Sequence, residues 1–323
     1  MDNYTLYCNG YDITGRIGDL TSTDDIDQLS ATLSFQVVRN PHDKLLPAFT
    51  FVPGDKLQLY NGGTMVFRGL ATSVGLDGRI TGNDFGWYLN KSKIILQCNG
   101  VAADDAIRQL GQKAGVSVGS VPSMPTLITE AYIAQEPSSI LSDILDKVTA
   151  ERGTKYFCRV GPDSGLCVYP YPTALDTLSV QLARNLRPFD PTWSLGAVSG
   201  EDSMDELRNQ VAVYREEDEQ VRVLATATDS ASISRYGWLQ HMESADEGTT
   251  EAQARQLAAQ KLAELNRLTQ TRRVDNMLGV DVRAGTMLRF SSDAFGLTGD
   301  WIIKQVTHTY APQHTMSLEV ITP

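Results

Sequence analysis

A chain of 323 residues, 41% hydrophobic and 21% charged, is long enough for two or three domains and has the balance of an ordinary globular protein. Its formal net charge of -11 argues against tight phosphate binding, which needs clustered Lys and Arg, although an acidic surface can still repel nucleic acid from a passage. No stretch reaches the roughly 20 apolar residues of a membrane span, and the start, MDNYTLYCNG, lacks the apolar core of a signal peptide.

The first ~95 residues read as strands. In ATLSFQVVR, Leu33, Phe35 and Val37 face one way and Thr32, Ser34 and Gln36 the other. KLQLY and TMVFRGLATSVGL follow, punctuated by the turn residues PGD and NGG. The period then changes. VAADDAIRQLGQKAG sets Ala103, Ala106, Ile107, Leu110 and Ala114 at helical spacing with Gly115 as a stop. PSSILSDILDKVTAERG repeats the format from Pro137 to Gly153, with a stripe of Ile140, Leu141, Ile144, Leu145 and Val148. A connection, LRPFDPTW, leads to NQVAVYREE and EQVRVLATATD, a hairpin with an acidic, solvated tip. One further helix is expected near 250–268, where Thr250 and Gln253 fit a capping box and an apolar stripe suits a helix lying on a barrel or sheet. A phrase also recurs. PGDKLQLY, MVFRGLATSV and RITGNDF near the front match RAGTMLRF, DWIIKQVTHTY and HTMSLEV near the end, as if one β-module were used twice.

Motifs of chemistry are sparse. Cys8, Cys98, Cys158 and Cys167 form no CxxC pair. A four-residue turn at 161–164 would set Cys158 opposite Cys167; reduced thiols are the expectation, with a cross-strand disulfide as the alternative. GPDSG has a flavour of a serine-protease run, but Pro162 breaks the motif and Ser164 falls in a hairpin turn. The acids DDID at 24–27 and EED at 216–218 read as solvated turns. His308 and His314 are expected to flank a turn at Ala311–Gln313, sharing a face, with His308 opposite Met316. Zinc wants three or four protein ligands and no third is evident, so no catalytic, cofactor-binding or metal-binding residue is assigned.

From residue 205 onward, DELRNQVAVY, ATATDSASISRYGWLQ, the capped helix, VDVRAGTMLRF, DWIIKQVTH and HTMSLEV occur in order. PGDKLQLYNGGTMVFRG and NDFGWYLNKSK fit the same pattern nearer the front. The set resembles the XkdQ/YqbQ-type baseplate hub proteins of PBSX-like contractile phage tails and phage-tail-like particles (tailocins), over nearly the whole chain. The resemblance implies a mainly β, α+β fold: a tube-like β-barrel domain at 1–95, an intervening α+β region with linker at 96–200, and a second tube-like barrel at 201–323 covered by the 250–268 helix. It implies a structural virion protein and no enzyme, without cofactors. Its partners would be two further copies in a homotrimer, the tail tube above, the central spike below and the tape-measure protein. Six similar modules would then join a hexameric tube to a trimeric spike, in a particle made in the bacterial host cytoplasm. No residues are left over for a fused cell-wall hydrolase. The competing readings are a tail-associated peptidoglycan hydrolase using paired carboxylates and a carbohydrate-binding β-module.

Overall fold

The computed structural model describes residues 4–38, 50–163, 165–171, 177–180, 198–217, 220–245, 248–291, 297–311 and 313–322. The architecture is α+β and mainly β. The chain divides into two compact units, one drawn from Met1–Ser199 with Arg272–Ile321 and the other from Gly200–Thr271.

The first unit opens with β1 (Tyr4–Cys8), β2 (Tyr11–Asp12), β3 (Ile17–Asp25), β4 (Thr32–Val37), β5 (Lys56–Asn61), β6 (Thr64–Val74) and β7 (Arg79–Asp84). Alternation in β4 translates directly into burial: Leu33, Phe35 and Val37 are buried while Thr32, Ser34 and Gln36 are partly exposed. These side chains pack with Leu6, Leu20, Leu57, Leu59 and Ile80 into one core. Each contributes roughly 1.5–3 kcal/mol on burial.

The middle of the chain supplies β8 (Ile94–Gln97), β9 (Val101–Ala102), α1 (Ala103–Ala114), β10 (Leu127–Ile128), β11 (Ala131–Gln135), α2 (Pro137–Arg152), β12 (Lys155–Gly161) and β13 (Gly165–Tyr171). Both helices follow the sequence signals. Asp104 and Asp105 sit in the first turn of α1, where they favour the helix dipole, and Pro137 occupies the first turn of α2. Gly115 and Gly153 end them in the left-handed conformation. The predicted stripes meet in a core of their own, Ile107 and Leu110 with Ile140, Ile144 and Val148.

The β12–β13 hairpin departs from expectation. Gly161 pairs with Gly165, so Cys158 faces Val168 and Cys167 faces Arg159. Gly165, at φ +73°, permits the tighter turn, and its Cα lies so close to the Ser117 carbonyl that a Cβ would collide. The one-residue offset leaves both cysteines buried and outside any disulfide. Burial pushes the Cys158 thiol up to about 12, which makes it a poor nucleophile at neutral pH. Ser164 lies outside the described residues.

The chain then forms β14 (Thr177–Val180) and β15 (Val198–Ser203). The second unit holds β16 (Gln210–Glu217), β17 (Gln220–Thr228), α3 (Ser230–Tyr236), β18 (Gln240–Ser244) and α4 (Glu251–Leu265). Its sheet runs β17-β16-β18. Helix α4 lies on β16 and β17 and buries Ala254 and Ala258 against Val211, Val213 and Ala225. The capping box forms as expected: Thr250 Oγ1 accepts from Gln253 N at 3.3 Å, and Gln253 Oε1 accepts from Thr250 N at 2.9 Å. Thr250→Ala will cost about 1 kcal/mol, read as faster amide exchange in the first turn of α4 with the first unit unaffected.

The chain returns through β19 (Thr269–Leu278), β20 (Met287–Ser291), β21 (Thr298–Thr309) and β22 (Thr315–Ile321). The large sheet reads β15-β19-β22-β21-β3-β4-β7-β6-β5-β1-β2, with β20 also beside β21 and β14 beside β20. The returning strands build a core separate from that of β1–β7, around Val274, Leu288, Trp301, Ile303, Val306 and Leu318.

Candidate functional site: the junction of two repeated meanders

The recurring sequence phrase corresponds to a recurring structure. β5–β6–β7 and β20–β21–β22 are both antiparallel meanders around a long central strand. Lys56 faces Leu70 and Leu57 faces Gly69; Met287 faces Ile302 and Leu288 faces Trp301. The turn before each opening strand bonds to the central strand in the same way. Gly54 N donates to Ala71 O at 2.8 Å and Ala71 N to Asp55 O at 2.8 Å. Gly285 N donates to Ile303 O at 2.8 Å and Ile303 N to Thr286 O at 2.9 Å. Both turn glycines hold positive φ, +100° and +85°, a conformation in which a side chain is strained. A register shift follows in each central strand, between Ala71 and Ser73 and between Ile303 and Gln305. Past it, Val74 faces Ile80 and Val306 faces Leu318.

The match extends further. Across the sheet β7 is followed by β4 and β3, and β22 by β19 and β15. In chain order these are the first two strands of each set. Between β15 and β19 the sequence carries most of the second unit, whereas only residues 26–31 separate β3 from β4.

The two sets join where β3 pairs antiparallel with the outer part of β21, from Gln305↔Asp25 to Thr309↔Thr21. Side chains reinforce this seam. Thr23 and Thr307 hydroxyls meet at 3.1 Å, Ser22 and Tyr310 hydroxyls at 3.1 Å, and Gln305 Nε2 donates to Asp25 Oδ2 at 3.0 Å. At its centre Arg283 donates to both carboxylate oxygens of Asp24, Nε to Oδ2 at 2.8 Å and Nη2 to Oδ1 at 3.1 Å. Its Nη1 donates to the Val160 carbonyl of β12 at 2.9 Å, and Ala284 N donates to Asp24 as well. One guanidinium therefore ties three segments of the unit together. Burial opposes its charge, but Asp24 outweighs burial and raises the Arg283 pKa. Asp24, expected in a solvated turn, is thus a buried strand residue, 9% exposed.

Beside this pair lies a cavity of about 200 Å³, lined by Asp24, Arg68, Asp84, Arg283, His308 and Tyr310. Asp84 accepts from Ala31 N at 3.0 Å and, as the cap of the short helical turn Phe85–Asn90, from Gly86 N at 2.9 Å. Burial raises its pKa to about 7. His308 also lines this cavity. His308 faces Met316 as expected, and the rings of His308 and His314, 5% and 1% exposed, touch directly. The Val282 carbonyl can only accept, so His308 Nε2 donates to it at 2.8 Å. His308 Nδ1 is then an acceptor, and His314 Nε2 donates to it at 3.1 Å.

Chemically, the site is a set of satisfied groups. Asp24 is held by Arg283 and a backbone N–H, Asp84 by two backbone N–H groups, and each imidazole by the other. Among the described residues no cluster of three or more His, Cys, Asp or Glu is placed to hold a metal ion. Sequence reasoning missed Asp24, Asp84 and Arg283, because strand pairing brings them together from distant segments. The arrangement ties β3, β12 and the segment before β20 to one another.

Comparison with known proteins finds relatives in both sequence and fold. Residues 20–321 match the family described as YQBQ-like. The chain is 22% identical to YqbQ of Bacillus subtilis (strain 168) over 275 residues, 83% of this chain and 81% of that one. It is 21% identical to the phage-like element PBSX protein XkdQ of the same organism, again over 83% and 81%. The fold is similar to the crystal structure of a tail protein from Neisseria meningitidis MC58, with a TM-score of 0.69 at 14% identity, covering 99% of this chain and 96% of that one.

Proposed function

The chain belongs to the YQBQ-like family, and from that premise we propose that it is the structural hub of a contractile tail baseplate. In this reading three copies form a pseudo-sixfold ring that joins a hexameric tail tube to a trimeric spike, in a virion or tailocin particle. The protein works through interfaces and catalyses no reaction. The two meanders are cores of two related β-modules, one within residues 1–95 and one within 201–323, the second interrupted by the second unit.

The observation that carries this reading is the head-to-tail seam inside one chain. An edge strand of the first set, β3, pairs with the central strand of the second, β21. Such a contact is heterologous, and repeated between copies with a rotation that closes it generates a ring. The equivalent surfaces are β15 and the outer edge of β6. Gly75 N donates to Arg79 O at 2.7 Å across the β6–β7 hairpin, so antiparallel alternation turns the N–H and C=O of Val74 to the opposite edge. There, among the described residues, β5 is the only other strand beside β6, and its pairing stops at Leu70. Val52, at the position matching Arg283, is 51% exposed.

Mass photometry of the purified chain tests the assignment. Wild type will run as three chains, and Val74→Pro, which removes the edge donor, as one chain with unchanged circular dichroism. A monomeric wild type contradicts the ring. Clearing of cell walls in a zymogram, abolished by an Asp or Glu substitution, would establish the hydrolase reading instead.

A further inference from the structure

We propose that the His308–His314 pair is an acid-released latch on the β3–β21 seam: two protons break the imidazole–imidazole hydrogen bond and free the segments it clamps. The proposal is independent of the baseplate reading. It rests on where the pair sits and on what its hydrogen bonds require.

His308 lies within the stretch of β21 that pairs with β3, facing Ser22. Through Val282 it anchors the segment before β20, two residues from the backbone N–H that Ala284 donates to Asp24. His314 lies just before β22, and two neighbours hold its ring. Its ring stacks on Tyr310 at 4.9 Å and 16°, and it lies so close to Gly279 that a Cβ there would sit 2.3 Å from the ring. Gly279 N donates to the His314 carbonyl at 2.9 Å. One hydrogen bond thus closes a loop through β21, β22 and residues 279–284.

In the neutral pair that bond has one arrangement of protons. His308 Nδ1 must be bare, because Nε2 is committed to Val282 and His314 Nε2 points its proton at Nδ1. With both rings protonated, every ring nitrogen is a donor, two N–H groups face each other at 3.1 Å, and two charges share a buried site. Burial already lowers the His308 pKa, His314 adds to the effect, and the Val282 carbonyl opposes it. A depressed imidazole contributes stability above the free value near 6.5 that is lost as pH falls.

The surrounding charges set the balance. Asp281 and Arg283 face the pair from the segment before β20, Asp24 from β3, Asp84 from the end of β7 and Arg68 from β6, with the Tyr310 phenol just past β21. Asp281 and Asp24 favour the imidazolium. Asp84 acts in the opposite sense on stability: its raised pKa means that protonation in acid favours the folded seam, a contribution lost as pH rises through about 7. A variant is therefore needed to isolate the histidines.

Hydrogen–deuterium exchange on the full chain at pH 7.5 and 5.0, with times scaled for intrinsic chemistry, tests the latch. In wild type, opening of peptides covering 20–25, 279–284 and 305–311 will rise as pH falls below ~6.5. His314→Gln, whose amide N–H replaces the donor without a charge, will keep protection at pH 7.5 and lose the acid response. His308→Gln, which keeps a donor for Val282, is the second variant should the first fold poorly. A wild-type seam unchanged between the two pH values overturns the proposal. So does an acid response that survives in either folded variant, or one spread evenly over the chain.

Discussion

Arg283→Met will destabilise the first unit by about 3–5 kcal/mol, the cost of leaving one partner of a buried ion pair behind. The side chains are 23% and 11% exposed, so solvent screens the pair only weakly. The loss is not confined to one contact. Methionine fills the space of the alkyl stem, but Asp24 keeps only the N–H of Ala284, and the Val160 carbonyl loses its guanidinium donor. Urea unfolding followed by the fluorescence of Trp301, buried at 3% exposure, reads the result as a lower midpoint. Replacing both partners, Arg283→Met with Asp24→Leu, will recover part of the loss, because an apolar pair leaves no buried charge unpaired. Equal loss in the single and double variants would show that Arg283 acts through packing alone.

The repeat supplies its own control for a second prediction. Gly54→Ala and Gly285→Ala place a Cβ at equivalent turns with positive φ, and each will pay about 1–3 kcal/mol of backbone strain. At Gly54 nothing lies within 4 Å of the new atom, whereas at Gly285 it would sit 2.6 Å from the ring of Phe157. Phe157 cannot retreat freely, since it is 8% exposed and packs on Tyr169 and Tyr171. Overpacking adds about 1–3 kcal/mol. Gly285→Ala will therefore lower the urea midpoint further than Gly54→Ala, and Phe157→Leu in the same background will narrow the difference. Equal midpoints for the two glycine variants would mean that the turn at 285 yields without strain.

What the sequence made legible was local. The alternation of Leu33, Phe35 and Val37, the stripes of α1 and α2 and the Thr250–Gln253 box each depend on residues a few positions apart, and each appears where expected. The family resemblance, carried by ordered phrases along the chain, agrees with the match to the YQBQ-like family. Pairing between distant strands left almost no trace. Asp24 looked solvated because its neighbours are Asp25 and Asp27, while its partner Arg283 lies 259 residues away. The β12–β13 register turned on Gly165, one residue from where the turn was expected to end, and that slip separated the two thiols. The repeat was visible as a phrase, but its strongest evidence is in backbone bonds. Gly54 and Gly285 match, whereas Gly69 and Trp301, at equivalent places, share no chemistry.

Electron microscopy of the parent tail, reconstructed without imposed symmetry, tests the central claim most directly. The account predicts three copies between tube and spike, with six meanders around the axis and the β3–β21 seam alternating with β15–β6 contacts between chains. Copies placed elsewhere in the particle, or a ring in which β6 and β15 do not meet, would contradict it.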